Sequence, residues 1–140
     1  MRKILLLLLS IVLGVTLNTQ AQQYLPNLIR PDSTVFVDVD VYPILVTSEG
    51  NYGIKKLKKF IGKHLMWPDP QMDCSGTVVI SFIVEVDGSV SDSKYLKRLC
   101  PKFDEEAMRV ASMMNRWQPG IVEGKKVRTR MSIPITFRID

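Results

Sequence analysis

The chain has 140 residues, with 19 Lys and Arg against 14 Asp and Glu, and a formal net charge of +5 at pH 7. One His and two Cys in the whole chain form no motif-like triad, and the sequence offers no glycine-rich phosphate loop and no metal-ligand spacing. The composition therefore points away from an enzyme and from a bound cofactor or metal, and the absence of repeats or low-complexity linkers points to one domain of modest size.

The first element is a leader. A basic start, Met1-Arg2-Lys3, is followed by an apolar run from Ile4 to Leu17, and then by Thr19 and Ala21 at the small-residue positions of a cleavage site. This is the layout of a secretory signal peptide spanning residues 1–21. The competing reading is a membrane anchor, but the run is shorter than the roughly 20 residues a spanning helix needs. No Cys follows the run to carry a lipid, so the mature chain is expected without a stable membrane anchor. Export argues against nucleic acid as a partner. It also favours a disulfide between Cys74 and Cys100, two buried free thiols being the alternative.

Residues 22–34, with Pro26 and Pro31 and little periodicity, read as an extended arm ahead of a domain over 35–140. Val35, Val37, Val39 and Val41 then alternate with Phe36, Asp38, Asp40 and Tyr42, the pattern of a short strand. Asp38 and Asp40 lack a third ligand nearby and read as its solvent face rather than as a metal pair. Residues 47–53 read as a loop. Ile54, Leu57, Phe60, Ile61 and Leu65 recur at helical spacing, with Lys55, Lys56, Lys58, Lys59 and Lys63 on the wet face. Met66 to Pro70 stops that helix. His64, near its end, reads as a packed or exposed helix residue rather than a base.

Two β-rich runs flank Asp87-Gly88, which predicts a hairpin with a two-residue turn. The first run is apolar on both faces and suits a central strand; the second is polar and suits an edge. A second helix follows, with Asp104 as N-cap and Glu105 and Glu106 in its first turn. It runs to Trp117, which reads as a structural aromatic. From Val127 to Ile139 odd positions are mostly apolar, and even positions carry Arg128, Arg130, Ser132, Pro134, Thr136 and Arg138. This is a long strand with one buried face. Pro134 cannot donate to a central ladder, so the strand belongs at an edge.

The elements assemble as an α+β two-layer sandwich, two helices on a three-stranded antiparallel sheet of order 2-1-3, with the proline-bearing strand outermost. In that order the pieces over Gly76–Asp92, Phe103–Gly120 and Glu123–Phe137 resemble the C-terminal domain of TonB-type energy transducers. The most specific matches are the hairpin, the Asp104 to Ala107 helix start, the Trp117-x-Pro119 break, and Gly124, Lys125 and Val127 ahead of Ile133-Pro134-Ile135-x-Phe137. The resemblance covers about Val35 to Ile139. It implies a Gram-negative periplasmic module that grips the N-terminal box peptide of outer-membrane transporters as a strand beside its last strand. The even-numbered residues just named, Arg128 to Arg138, are then the candidate partner-binding set. A full transducer also has a retained membrane helix and a long Pro-rich spacer, and neither is read here. The alternative is a structural or interaction protein of the envelope, touching peptidoglycan or pairing with itself as a homodimer through the sheet edge.

The leader gives the first prediction. N-terminal sequencing of the envelope-resident protein is expected to begin at Gln22; an intact Met1 in the membrane fraction contradicts it.

Overall fold

Eight strands and two helices follow one another through residues 34–139, the part of the chain that the computed structural model describes. The leader, the arm up to Asp32 and Ser33, and Asp140 lie outside the described residues. The elements are β1 (Val35–Phe36), β2 (Ile44–Thr47), β3 (Gly50–Tyr52), α1 (Leu57–His64), β4 (Gly76–Val84), β5 (Val90–Lys97), α2 (Pro101–Met113), β6 (Trp117–Gln118), β7 (Gly120–Val122) and β8 (Lys125–Phe137). The class is α+β with two helices.

The sheet is larger than the three antiparallel strands expected. Its order is β1-β8-β4-β5, with β7 also on β8, and β1 runs parallel to β8. A second sheet has the order β3-β2-β6. The added strands are two to four residues long, too short for a period to show in sequence. The segment read as a loop is the β2–β3 hairpin: Thr47 donates from Oγ1 to the Gly50 carbonyl at 3.0 Å and accepts from the Glu49 N–H at 3.2 Å. The valine-rich segment holds strand geometry only at Val35–Phe36, with a further bridge from Val41 to Ile121.

β4 is central because both its faces and both its edges are used. Val78, Ile80, Phe82 and Val84 are buried on one face, and Ser81 and Ile83 are buried on the other. Directly opposite on β8 stand Ile135, Ile133, Met131 and Thr129, all buried. Against this surface α1 packs Leu57, Phe60 and Ile61, and α2 packs Phe103, Ala107, Val110 and Ala111. Ile139, expected on the buried side, is exposed, since it lies past the end of β8.

Two local expectations are corrected. The β4–β5 loop has three residues, Val86 to Gly88: Gly88 donates to the Glu85 carbonyl and Glu85 donates to Ser89. Gly88 has φ +85°, and a Cβ there would stand 2.1 Å from the Trp117 carbonyl oxygen. The turn thus demands glycine twice, for its left-handed backbone and for the close approach of β6. Second, α2 begins three residues earlier than Asp104, with Cys100 as N-cap and Pro101 in the first turn. Asp104 lies inside the helix and accepts the Leu99 N–H at 2.7 Å, so it still satisfies backbone at the helix entry. The helix ends at Met113, and Trp117 is carried by β6, with its indole N–H donating to the Met114 carbonyl at 2.8 Å.

Cys74 and Cys100 form a disulfide with Cα atoms 6.6 Å apart, tying the entry of β4 to the start of α2. It closes a sequence separation of 26 residues. On the chain-entropy account a loop of that size contributes about 3 kcal/mol. Urea unfolding of the oxidised protein and of a Cys74→Ser, Cys100→Ser double variant is expected to differ by about that amount; equal midpoints contradict a stabilising role for the bridge.

Candidate functional site

The backbone of β8 defines the site. Glu85 turns its N–H toward Ser89 on the β5 side at 2.8 Å, so by strand alternation Val84, Phe82, Ile80 and Val78 turn theirs toward β8. Their opposite residues, Thr129, Met131, Ile133 and Ile135, use that side of β8. The N–H and C=O groups of Arg130, Ser132, Pro134 and Thr136 therefore point outward. Pro134 stands where its missing donor removes no bond to β4, which is how it is tolerated between two ladder positions.

The outward side is occupied only in part. β7 pairs with Lys125 to Val127 on the side that β4 takes further along, since Ile121 exchanges its backbone bonds with Val41 and leaves Gly120 and Val122 to face β8; on the outward side β1 pairs with Arg128 and Thr129. This corrects the expectation of an edge along the whole strand. The register of β1 uses the Arg130 N–H as well; beyond it, among the described residues, no further strand lies on that side, and the open stretch runs from Ser132 to Phe137.

The six candidate partner-binding residues divide accordingly. Arg128 lies on the covered stretch and grips Glu85 with two nitrogens, Nε to Oε2 at 2.7 Å and Nη2 to Oε1 at 3.0 Å. Ser91 also donates to Glu85. Arg130 reaches across β4, touching Ser81 at 3.2 Å and pairing with Asp92 of β5 at 2.8 Å. Both guanidinium groups are thus turned toward β4 and β5 rather than toward the open side. Thr136 shares a hydrogen bond with Thr77 of β4 at 3.0 Å. Ser132, Pro134 and Arg138 are exposed. Asp38 accepts the Tyr42 hydroxyl and Asp40 accepts the Glu123 N–H, so both serve local structure. Among the described residues there is no group of three or more His, Cys, Asp or Glu placed to hold a metal ion, and no helix is long and apolar enough to cross a membrane.

A groove of about 720 Å³ lies beside the open stretch. One wall is the end of β8, from Pro134 to Arg138, and the other is α1 with the segment Leu65 to Trp67. The sequence reading took that segment only as a helix stop. Its position is fixed by α2. Glu106 accepts the Met66 N–H at 2.8 Å, and Arg109 pairs with Glu106 at 2.8 Å while donating to the last carbonyl of α1, that of His64, at 2.7 Å. Trp67 stacks edge-on to Phe103 at 5.0 Å, and Phe103 in turn meets Phe137 at 5.0 Å. A ring ladder thus links the groove wall to β8.

The family described as Gram-negative bacterial TonB protein C-terminal matches residues 70–139. No curated protein and no solved structure matches. The chain belongs to the TonB C-terminal family, a family of protein-interaction domains set in the Gram-negative envelope and linked to TonB-dependent transport. The match contains β4 to β8 and α2; β1 to β3, α1 and the wall up to Trp67 precede it.

The two carboxylates that brace the site are tuned alike. Hydrogen bonds from Arg128 and Ser91 hold Glu85 below its ordinary pKa, and those from Arg109 and Met66 do the same for Glu106. A depressed folded-state pKa gives stability that is present above the unfolded value and lost as pH falls through the folded one. Melting temperature is therefore expected to hold near neutral pH and to fall below about pH 4.3, the unfolded glutamate value. Glu106→Gln is expected to cost about 1 kcal/mol at pH 7 and to make the acid fall shallower. Parallel acid limbs for variant and wild type contradict the assignment.

Proposed function

We propose that this chain is a periplasmic binding module that takes an extended peptide as an added strand on the outer side of β8, the peptide being the N-terminal box of an outer-membrane TonB-dependent transporter. Residues 1–21 are removed on export, and the domain of 35–140 acts in the periplasm. The observation that carries the reading is the open stretch from Ser132 to Phe137, whose outward backbone groups face no other strand among the described residues. Backbone hydrogen bonds supply the affinity of strand addition, and neighbouring pockets supply its selectivity. Family membership supports the same partner class.

A second reading rests on α1 and the 3-10 turn Ile54–Lys56 before it. Lys55, Lys56, Lys58 and Lys59 are exposed and make no ion pair among the described residues, which suits an anionic envelope polymer. Self-pairing through the β8 edge is the remaining competitor, and one experiment separates the three.

A labelled transporter box peptide is titrated against wild type and Ser132→Pro, with melting and size-exclusion profiles alongside. Ser132→Pro removes an outward N–H and leaves the β4 ladder intact. Saturable binding to wild type is expected, weakened at least tenfold by the variant, a change of about 1.4 kcal/mol. No saturation up to roughly millimolar peptide contradicts strand addition. Binding to peptidoglycan instead, or a concentration-dependent dimer abolished by Ser132→Pro, supports the corresponding competitor.

A further inference from the structure

Gly62 occupies a costly position. It lies inside α1, two residues before its end, where glycine is less favourable than alanine by roughly 0.8–1.0 kcal/mol. Nothing in its backbone asks for glycine: it needs no left-handed φ, and a Cβ built there meets no atom within 4 Å. What Gly62 does border is the groove beside β8. A side chain at this position would project into open space that is otherwise bounded by Ile61, Leu65, Trp67 and Phe137.

The charge around the groove has one sign. Lys58 and Arg138 stand on its lining, no acidic side chain does, and neither cation forms an ion pair among the described residues. We propose that this groove is a specificity pocket for a bulky apolar side chain of the guest strand, and that the guest carries acidic residues two positions to either side of it, on the same face, near Lys58 and Arg138. Gly62 is the residue that keeps the pocket open. The inference rests on strand addition to β8 and names what the guest must contain. The alternation of the guest fits the pocket: a residue opposite an odd-numbered position such as Phe137 directs its side chain to the helix side of the sheet, while its neighbours point to the other side.

The sizes expected are measurable. Burying a Phe side chain that is otherwise left in water is worth roughly a tenfold to hundredfold change in affinity. An exposed ion pair is worth about two- to fivefold, and less at high salt.

Three short capped peptides of alternating Thr and Val serve as probes: one with a Phe and a Glu two positions to either side of it, one with that Phe changed to Ala, and one with both Glu changed to Gln. Polyglutamate tests charge alone. Each is titrated against wild type, Gly62→Leu, Lys58→Glu and Ser132→Pro. The Phe peptide is expected to bind wild type at least tenfold more tightly than the Ala peptide. Gly62→Leu is expected to raise the melting temperature and erase that preference, leaving the Ala peptide unchanged. Lys58→Glu is expected to weaken the Glu peptide about threefold or more while sparing the Gln peptide. Equal binding of the Phe and Ala peptides, an unchanged preference in Gly62→Leu, or polyglutamate binding as tight as the Phe peptide overturns the proposal. Strand addition itself stands or falls separately, on whether Ser132→Pro weakens every peptide. The melting curve shows whether Gly62→Leu is folded. Should it not fold, Gly62→Ala, which intrudes less, is expected to reduce the Phe preference in part, and no reduction overturns the proposal.

Discussion

Every backbone polar group on β8 needs a partner, and the strand has two sides. The inner side is met by β7 at Lys125 and Val127 and by β4 from Thr129 to Phe137. The outer side is met, among the described residues, by β1 alone, and only as far as Arg130. Unpaired donors and acceptors on an edge are tolerated while water reaches them, and they remain a template for another chain. The architecture around the strand follows from this unequal supply. Pro134 sits on the outer side, where it costs no bond to β4. Gly88 lets β6 approach the β4–β5 turn, and the Trp117 N–H donates to the Gly88 carbonyl at 2.9 Å.

The edge is polar in a directed way. Arg128 and Arg130 are held by Glu85 and Asp92, so their charge is spent across the sheet rather than at the open side. Such pairs bind the outer face of β8 to β4 and β5 with charge-assisted hydrogen bonds. The cations left near the groove are Lys58 and Arg138, from α1 and the chain end. Attraction of an anionic guest therefore comes from the groove rim and not from the arginine stripe that dominates the sequence.

Much of this was legible in the sequence. The period of two over Val127 to Phe137 gave the buried face of β8, the apolar run at Val78 to Val84 gave the central strand, and Pro134 gave an outward side. The Cys pair was legible from export and even count. What was not legible had physical reasons. β1, β6 and β7 are two or three residues long and exist only through pairing, so no local pattern marks them. Proline reports that one side of one residue lacks a ladder bond; it says nothing of residues 125–129, which β7 and β1 cover. Capping chemistry at Asp104 was recognised, but Cys100 and Pro101 start the helix, and the carboxylate acts backward on Leu99. The groove wall was missed because Trp67 acts through Phe103 and Phe137, partners distant in sequence. The one local signal was Gly62, a glycine inside an amphipathic helix.

The central claim is that β8 presents an open, outward-facing backbone from Ser132 to Phe137. Residue-resolved amide hydrogen exchange tests it most directly. The account predicts an alternation in the free protein: the amides of Met131, Ile133 and Ile135 exchange slowly because β4 holds them, while those of Ser132 and Thr136 exchange fast. Added guest peptide then protects the fast set and leaves the slow set as it was. Uniform protection along the strand in the free protein, or a guest that protects amides elsewhere and not these two, contradicts it.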